Sequence, residues 1–408
     1  MSRFLLAWEL GGGLGHSTPL SQVAAPLIEQ GHEVHFVLRD LSTVHTVFGA
    51  MASHERVHFW QAPLWQSQLR GVPESATYAE LLFRAGFLDT QRLGGLVRAW
   101  RTLFDAVRPA LLLADHAPTA MLAARGLPFR RALMGTGFFL PLQRQPIPPF
   151  REWEPIPPAR VQAAEARALQ TCNEILSLLG EPPLRALHEL LAADERFLLT
   201  WPEVDHYAAR ASEPGAVYWG ALPGPAAGAA APWPPGEGHR LFAYLKADHA
   251  PTEAALRLLG AGPWRTLAYV PGLSAALREQ LASPHLALSA EPVSMARVGE
   301  AADAVLCNAG SGTVCTALQA GKPVVMLPMH AEQLLFARRV QEAGAGAYLM
   351  EADVPGHLAD RLRRVLQEAT FHEAARRFAV RYGAPARPFG DVAQRVAARC
   401  VALAGAAP

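Results

Sequence analysis

Lysine is almost absent from this chain: Lys246 and Lys322 are the only two among 37 basic residues. Such an arginine excess follows a GC-rich bacterial coding bias, so a single arginine carries no signal here and a lysine stands out. Cysteine is scarce too. Cys172, Cys307, Cys315 and Cys400 are scattered without a C-x-x-C pair, which excludes a disulfide framework and a zinc knuckle. Net charge is missing as well: 37 basic against 36 acidic groups leave +1, so no global field attracts a polyanion and no nucleic-acid partner is expected. Long apolar runs are also absent. The run at 4–8 meets Glu9 before a signal-peptide core can form, and no other approaches the roughly 18 residues of a membrane span. A cytoplasmic protein without a transmembrane segment is expected, and nothing in the sequence sets its oligomeric state.

What is present is material for buried cores, since 50% of the 408 residues are hydrophobic. That length suits two domains of roughly 150 to 220 residues each. Short apolar runs recur at 4–8, 34–38, 57–60, 110–114, 197–201 and 217–219, with helix-period stretches between most of them. Apolar runs that do not alternate are what a parallel sheet covered on both faces requires. The stretch 221–238 is almost entirely Pro, Gly and Ala and reads as a linker. After it the pattern restarts, with strands expected at 241–245, 266–270, 286–289, 304–307, 324–327 and 347–350. The expected fold is α/β, two doubly wound, Rossmann-like domains over 1–220 and 239–385 that face each other across a cleft holding the active site. A final helix within 386–408 is expected to return to the first domain.

Two loops carry chemistry. The first strand ends in Glu9-Leu10-Gly11-Gly12-Gly13-Leu14-Gly15-His16, which departs from the dinucleotide fingerprint because His16 occupies its third glycine position. No Walker A motif exists either, since Gly321-Lys322 is followed by Pro323. A histidine at the mouth of a glycine turn suits a general base, because its unperturbed pKa sits near neutrality; a helix-capping or core histidine is the even alternative. The second loop, Asn308-Ala309-Gly310-Ser311-Gly312-Thr313, follows a strand and opens a helix. Small residues there expose backbone N–H groups, which together with the helix dipole bind phosphate oxygens. Farther on, Glu332-Gln333 opens another helix and offers acceptors and donors to sugar hydroxyls, unless Glu332 merely favours the helix dipole.

At these residues the chain resembles the UDP-glycosyltransferase-like, inverting GT-B enzymes, especially their bacterial macrolide and natural-product branch. Gly15-His16 with Pro19 is similar to that family's N-terminal G-H-x-x-P segment, and the run 307–346 is similar to its donor signature. The resemblance implies His16 as catalytic base, Asp115 as the carboxylate orienting it, and Glu291 with Val293 lining a nucleobase pocket. It also implies a donor site at Gly15, Asn308, Gly310, Ser311, Gly312, Thr313, Glu332 and Gln333. Asn308 stands where many relatives carry a histidine contacting the donor phosphates. Lys246, just past a strand, is expected to supply positive charge in its place; a solvated loop lysine is the plainer reading.

The implied reaction moves a sugar from a UDP- or dTDP-sugar to a small apolar or aromatic acceptor with inversion, the nucleotide-sugar being a co-substrate and no metal or other cofactor being expected. No H-E-x-x-H or D-x-D occurs, and His32-Glu33-Val34-His35 lies on an expected strand with spacing unsuited to a metal. Trp60, Trp65, Tyr78, Phe83, Phe87, Phe138, Phe139, Phe150 and Trp153 concentrate in two irregular segments, so Trp65, Phe83, Phe87, Phe138 and Phe139 are taken as candidate acceptor contacts, any of which can equally be core. Rival readings are a nucleotide-sugar 2-epimerase of the same fold, a peptidoglycan sugar transferase, and an inactive sugar-nucleotide-binding protein.

Overall fold

The computed structural model describes residues 1–65, 74–213, 215–224, 228–229, 232–383 and 391–406. Parts of the expected linker (225–227, 230 and 231), residues 386–390 ahead of the closing helix, and 407–408 lie outside the described residues. The chain divides into two compact units. The first comprises Met1–Thr200, Tyr207–Gly220 and Asp391–Pro408, the second Trp201–His206 and Ala221–Gly390.

The first unit holds β1 (Arg3–Trp8), β2 (Glu33–Leu38), β3 (Val57–Gln61), β4 (Leu111–Asp115), β5 (Arg130–Gly135) and β6 (Glu195–Leu198). They form one parallel sheet in the order β3-β2-β1-β4-β5-β6. Phe4, Leu5, Leu6 and Ala7 of β1 and Leu111 to Ala114 of β4 are wholly buried, as strands covered on both faces must be. The second unit holds β7 (Arg240–Tyr244), β8 (Arg265–Tyr269), β9 (Leu286–Ser289), β10 (Ala304–Cys307), β11 (Val324–Met326) and β12 (Gly346–Tyr348). Its parallel sheet runs β12-β11-β10-β7-β8-β9. Counted from its own first strand, that is the same order as in the first sheet. Each unit is thus a Rossmann-type sheet whose strand order reverses between its first and fourth strands, where ligands bind such folds.

Two local expectations need correction. The run 217–219 forms no strand; Tyr218 makes only an isolated bridge to Leu198. Its neighbours are Pro- and Gly-rich, so the pairing cannot extend. Conversely β5 was not expected, because it begins with Arg130-Arg131 and its apolar run is short. Burial of Ala132, Leu133 and Met134 between β4 and β6 overrides that weak local signal.

The closing helix Val392–Gly405 belongs to the first unit, where it packs on the helix Leu14–Glu29 and against β4 and β5. Its buried stripe Val392, Val396, Cys400 and Leu403 has helical spacing. Arg399 pairs with Glu195 at 2.7 Å and Arg395 lies 4.9 Å over the Trp219 ring, fixing its exposed side. Within the second unit, Trp201 stacks on Tyr382 at 4.4 Å, and Glu203 accepts the Tyr382 hydroxyl at 2.7 Å. No described helix is long and apolar enough to cross a membrane.

Candidate active site

The first unit's reversal point is clasped by short-range bonds between chain segments far apart in sequence. β1 and β4 end side by side, with Trp8 opposite Asp115 in register. Just past Trp8, the buried Glu9 carboxylate accepts the backbone N–H groups of Thr119 and Ala120 at 2.9 and 2.7 Å, at the start of the helix Pro118–Ala123. The Leu10 N–H reaches the His116 carbonyl at 3.1 Å, and the Trp8 indole donates to the Leu10 carbonyl at 2.7 Å. Gly11 (φ 89°) and Gly13 (φ 70°) then turn the chain into the helix Leu14–Glu29, a path that side chains disfavour.

His16, in that helix's first turn, stands with Nδ1 3.1 Å from Asp115 Oδ1, and both residues are buried. The two atoms lie within ion-pair distance without meeting hydrogen-bond geometry. The Trp8 ring stacks on His16 at 5.3 Å, Phe139 tilts over it at 4.6 Å, and His116 lies 6.0 Å away. The result is an imidazole in an aromatic box with one nitrogen turned to a carboxylate. Burial pushes the Asp115 carboxyl above its ordinary range, an effect the neighbouring His16 opposes. Burial, with the His16 imidazole second, holds His116 well below a normal histidine. His116 also adopts a left-handed backbone (φ 48°), the kind of local strain that folds tolerate at functional sites.

Glu9 yields a pH prediction. Burial raises its pKa from 4.5 to about 7, against the opposing pull of the Thr119 and Ala120 N–H groups. The folded state therefore holds this proton where the unfolded chain has lost it, and stability falls as pH rises through the window from about 4.5 to 7, by on the order of 3 kcal/mol. Glu9→Gln is expected to flatten that part of the profile, read as urea midpoints at pH 5 and pH 8. Equal pH dependence in the two proteins would remove Glu9 as its cause.

The aromatic candidates divide. Phe139 is the one placed beside His16, while Phe138 stands behind it, edge-on to Phe139 at 5.4 Å and stacked on Phe150 at 4.7 Å. Phe83 ends the helix Tyr78–Phe83 and is half-buried. Trp65 is half-buried and carries the Arg92 guanidinium 4.7 Å over its ring. Phe87 is wholly buried and has no surface to offer a ligand, which corrects its place among the acceptor candidates: it is core. Gly15 is exposed, and a side chain there would meet nothing within 4 Å.

In the second unit β7 and β10 end side by side at the reversal point, with Tyr244 opposite Cys307. Asn308 follows β10 and is buried. Its Oδ1 accepts the Lys246 N–H at 2.8 Å, and its Nδ2 reaches the Leu327 carbonyl at 2.9 Å and His249 Nδ1 at 3.0 Å. Both amide hydrogens are thus committed, which corrects the donor-contact expectation for this residue: Asn308 braces the loops after β7, β10 and β11. Ala309 then takes a left-handed backbone (φ 58°), and Gly310 leads into the helix Ser311–Gln319, which has no side-chain N-cap. The N–H groups of its first turn, including those of Ser311, Gly312 and Thr313, have no acceptor within the helix. The Lys246 ammonium lies 3.5 Å from the Tyr244 hydroxyl and 5.5 Å over that ring.

Glu332, in the first turn of the helix Ala331–Glu342, meets the buried His206 Nε2 at 3.2 Å through Oε1. Gln333 turns its Oε1 to the Met329 N–H at 2.9 Å, so its amide hydrogens are the part left for a ligand. Glu291 is exposed, its carbonyl taking the Ser289 hydroxyl at 2.7 Å. Val293 is buried in the unit's core, and its backbone bridges Ala229. Sequence reasoning gave no role to Glu9, His116, His206 or His249; adjacency to the glycine turn and to Asp115 is the signal that could have pointed to the first two.

Residues 273–403 match the family described as the erythromycin biosynthesis protein CIII-like, C-terminal domain. A PGL/p-HBAD biosynthesis glycosyltransferase of Mycobacterium tuberculosis is 42% identical over 90 residues, which are 21% of this chain and 21% of the relative. The chain thus aligns with about a fifth of the length of this mycobacterial relative and with less of the other curated relatives it matches. Among solved structures, a calicheamicin glycosyltransferase has a TM-score of 0.69 at 19% identity, covering 100% of this chain and 99% of that one. A glycosyltransferase of Streptomyces sp. SF2575, complexed with thymidine diphosphate, has a TM-score of 0.61 at 18% identity, covering 95% and 98%. Residues 273–403 are thus similar to that C-terminal domain, and over its full length the chain has the two-domain GT-B fold of these solved glycosyltransferases.

Proposed function

We propose that this protein transfers a sugar from a thymidine- or uridine-diphosphate sugar to a hydroxyl of a small, largely apolar acceptor, with inversion at the sugar carbon. The observation that carries the reading is the buried His16–Asp115 pair, 3.1 Å apart at the carboxyl ends of β1 and β4. With Nδ1 protonated toward Asp115, His16 Nε2 takes the acceptor hydroxyl's proton as its oxygen attacks the sugar carbon. The bond to the diphosphate breaks on the opposite face, and Asp115 steadies the imidazolium. The half-buried Phe139, packed beside His16, favours an apolar acceptor.

The uncapped helix Ser311–Gln319 offers its N–H groups to the leaving diphosphate, so the step calls for no divalent cation. Glu332, oriented by His206, and the free amide of Gln333 suit the hydroxyls of the sugar. A thymidine base is supported by the thymidine diphosphate bound to the structurally similar Streptomyces glycosyltransferase. The test is incubation of the purified chain with a panel of nucleotide sugars, with and without hydroxylated apolar acceptors. Slow hydrolysis of one donor, diverted to a glycoside when acceptor is added, is the expected result. An epimerised sugar without acceptor consumption would replace the reading with a 2-epimerase, and binding without turnover with an inactive binder.

A further inference from the structure

A second cluster of chemistry-bearing side chains sits in the first unit, away from His16. Glu33 and His35 are two apart on β2 and so share a face, and His58 is the register partner of His35 on β3. The sequence stretch 32–35 lacks metal spacing by itself because its third group comes from the neighbouring strand. Glu33 Oε1 lies 2.9 Å from His35 Nε2 and 3.1 Å from His58 Nε2. The two imidazoles stack at 4.6 Å, and one ligand atom from each of the three residues lies within 4.8 Å of the others. We propose that Glu33, His35 and His58 bind one divalent transition-metal ion of the zinc class, which ties the edge strand β3 to β2.

The donor set fits: two imidazole nitrogens and one carboxylate oxygen suit zinc or copper, and half-exposed His58 leaves room for water as a further ligand. Two features temper the affinity. Arg3 stands opposite Glu33 in register on β1. The Trp60 indole donates to His35 Nδ1 at 3.2 Å, which places the His35 proton on Nε2, the nitrogen the metal needs. Loading moves that proton to Nδ1, where it faces another donor, so the half-buried Trp60 must turn away. Losing that hydrogen bond weakens binding by on the order of tenfold or less, and it makes Trp60 a reporter.

The site is independent of the proposed reaction: these residues lie in the first half of β2 and on β3, whereas Asp115 ends β4 and His16 follows β1. The test titrates zinc alone into the full-length, tag-free chain, following heat and tryptophan fluorescence, with His58→Ala and Glu33→Gln as variants. Both substituted side chains are partly exposed, so the fold is expected to persist, and circular dichroism checks it. The expected result is one zinc per chain with a micromolar dissociation constant and a fluorescence change. Affinity should fall at least tenfold, and the fluorescence change vanish, in each variant. No zinc binding by the unaltered chain, or equal affinity in the variants, overturns the site.

Discussion

Replacement of His16 by alanine is expected to lower transfer by about 10² to 10⁴-fold while nucleotide binding stays close to that of the unaltered protein. His16 is a residue of the first unit, whereas the helix Ser311–Gln319, Glu332 and Gln333 all belong to the second. Loss of the imidazole removes the acceptor for the hydroxyl proton and leaves Asp115 without its partner at 3.1 Å. The measurement pairs initial rates of glycoside formation with calorimetric binding of the nucleoside diphosphate. Near-normal turnover would sink the assignment of the base. A collapse of nucleotide binding would show that the substitution acts on folding.

Gly11→Ala is expected to cost as much activity without touching any titratable group. A Cβ at Gly11 would sit 2.3 Å from His16 Nε2 and 3.1 Å from Cδ2, so the imidazole must leave its place beside Asp115. The new side chain would also occupy the space in front of the nitrogen that receives the proton. At φ 89° the alanine carries backbone strain of roughly 1 to 2 kcal/mol, a loss of only a few degrees in Tm for a unit of this size. Gly12→Ala is the matched control, since a Cβ there meets nothing within 4 Å. Rates near the unaltered level for Gly12→Ala and a fall of two or more orders of magnitude for Gly11→Ala are the expected pair. Similar rates in both variants would show that His16 is not held where it acts.

Much of the architecture was legible because it rests on local signals. Each expected strand of the second unit is present, since apolar runs bounded by glycine and proline leave few alternatives. The glycine turn before His16 and the Asn308 to Thr313 loop likewise follow from residue type and position beside a strand. The contacts that shape the site were less legible. Glu9 reaches Thr119 and Ala120 across 110 and 111 positions, and His35 meets His58 only because β2 and β3 are neighbours. Strand order decides such meetings, and periodicity does not specify strand order. Asn308 shows the same limit: its place in a motif suggested a phosphate contact, but its amide is spent on the Leu327 carbonyl and His249. Phe87 was misplaced because an aromatic residue in an irregular segment serves a pocket or a core equally well from sequence alone.

The closing helix Val392–Gly405 sets an order of events during synthesis. It packs on the first unit, yet the ribosome makes it after 221–390, the greater part of the second. At about 5 to 20 residues per second, the stretch between takes roughly 10 to 30 seconds to emerge. For that interval the helix Leu14–Glu29 and the strands β4 and β5 wait for the apolar stripe of Val396, Cys400 and Leu403. The half of the protein that starts first is therefore the half that is finished last, and a nascent chain stalled anywhere before residue 391 presents the quality-control machinery with an uncovered face on its N-terminal unit.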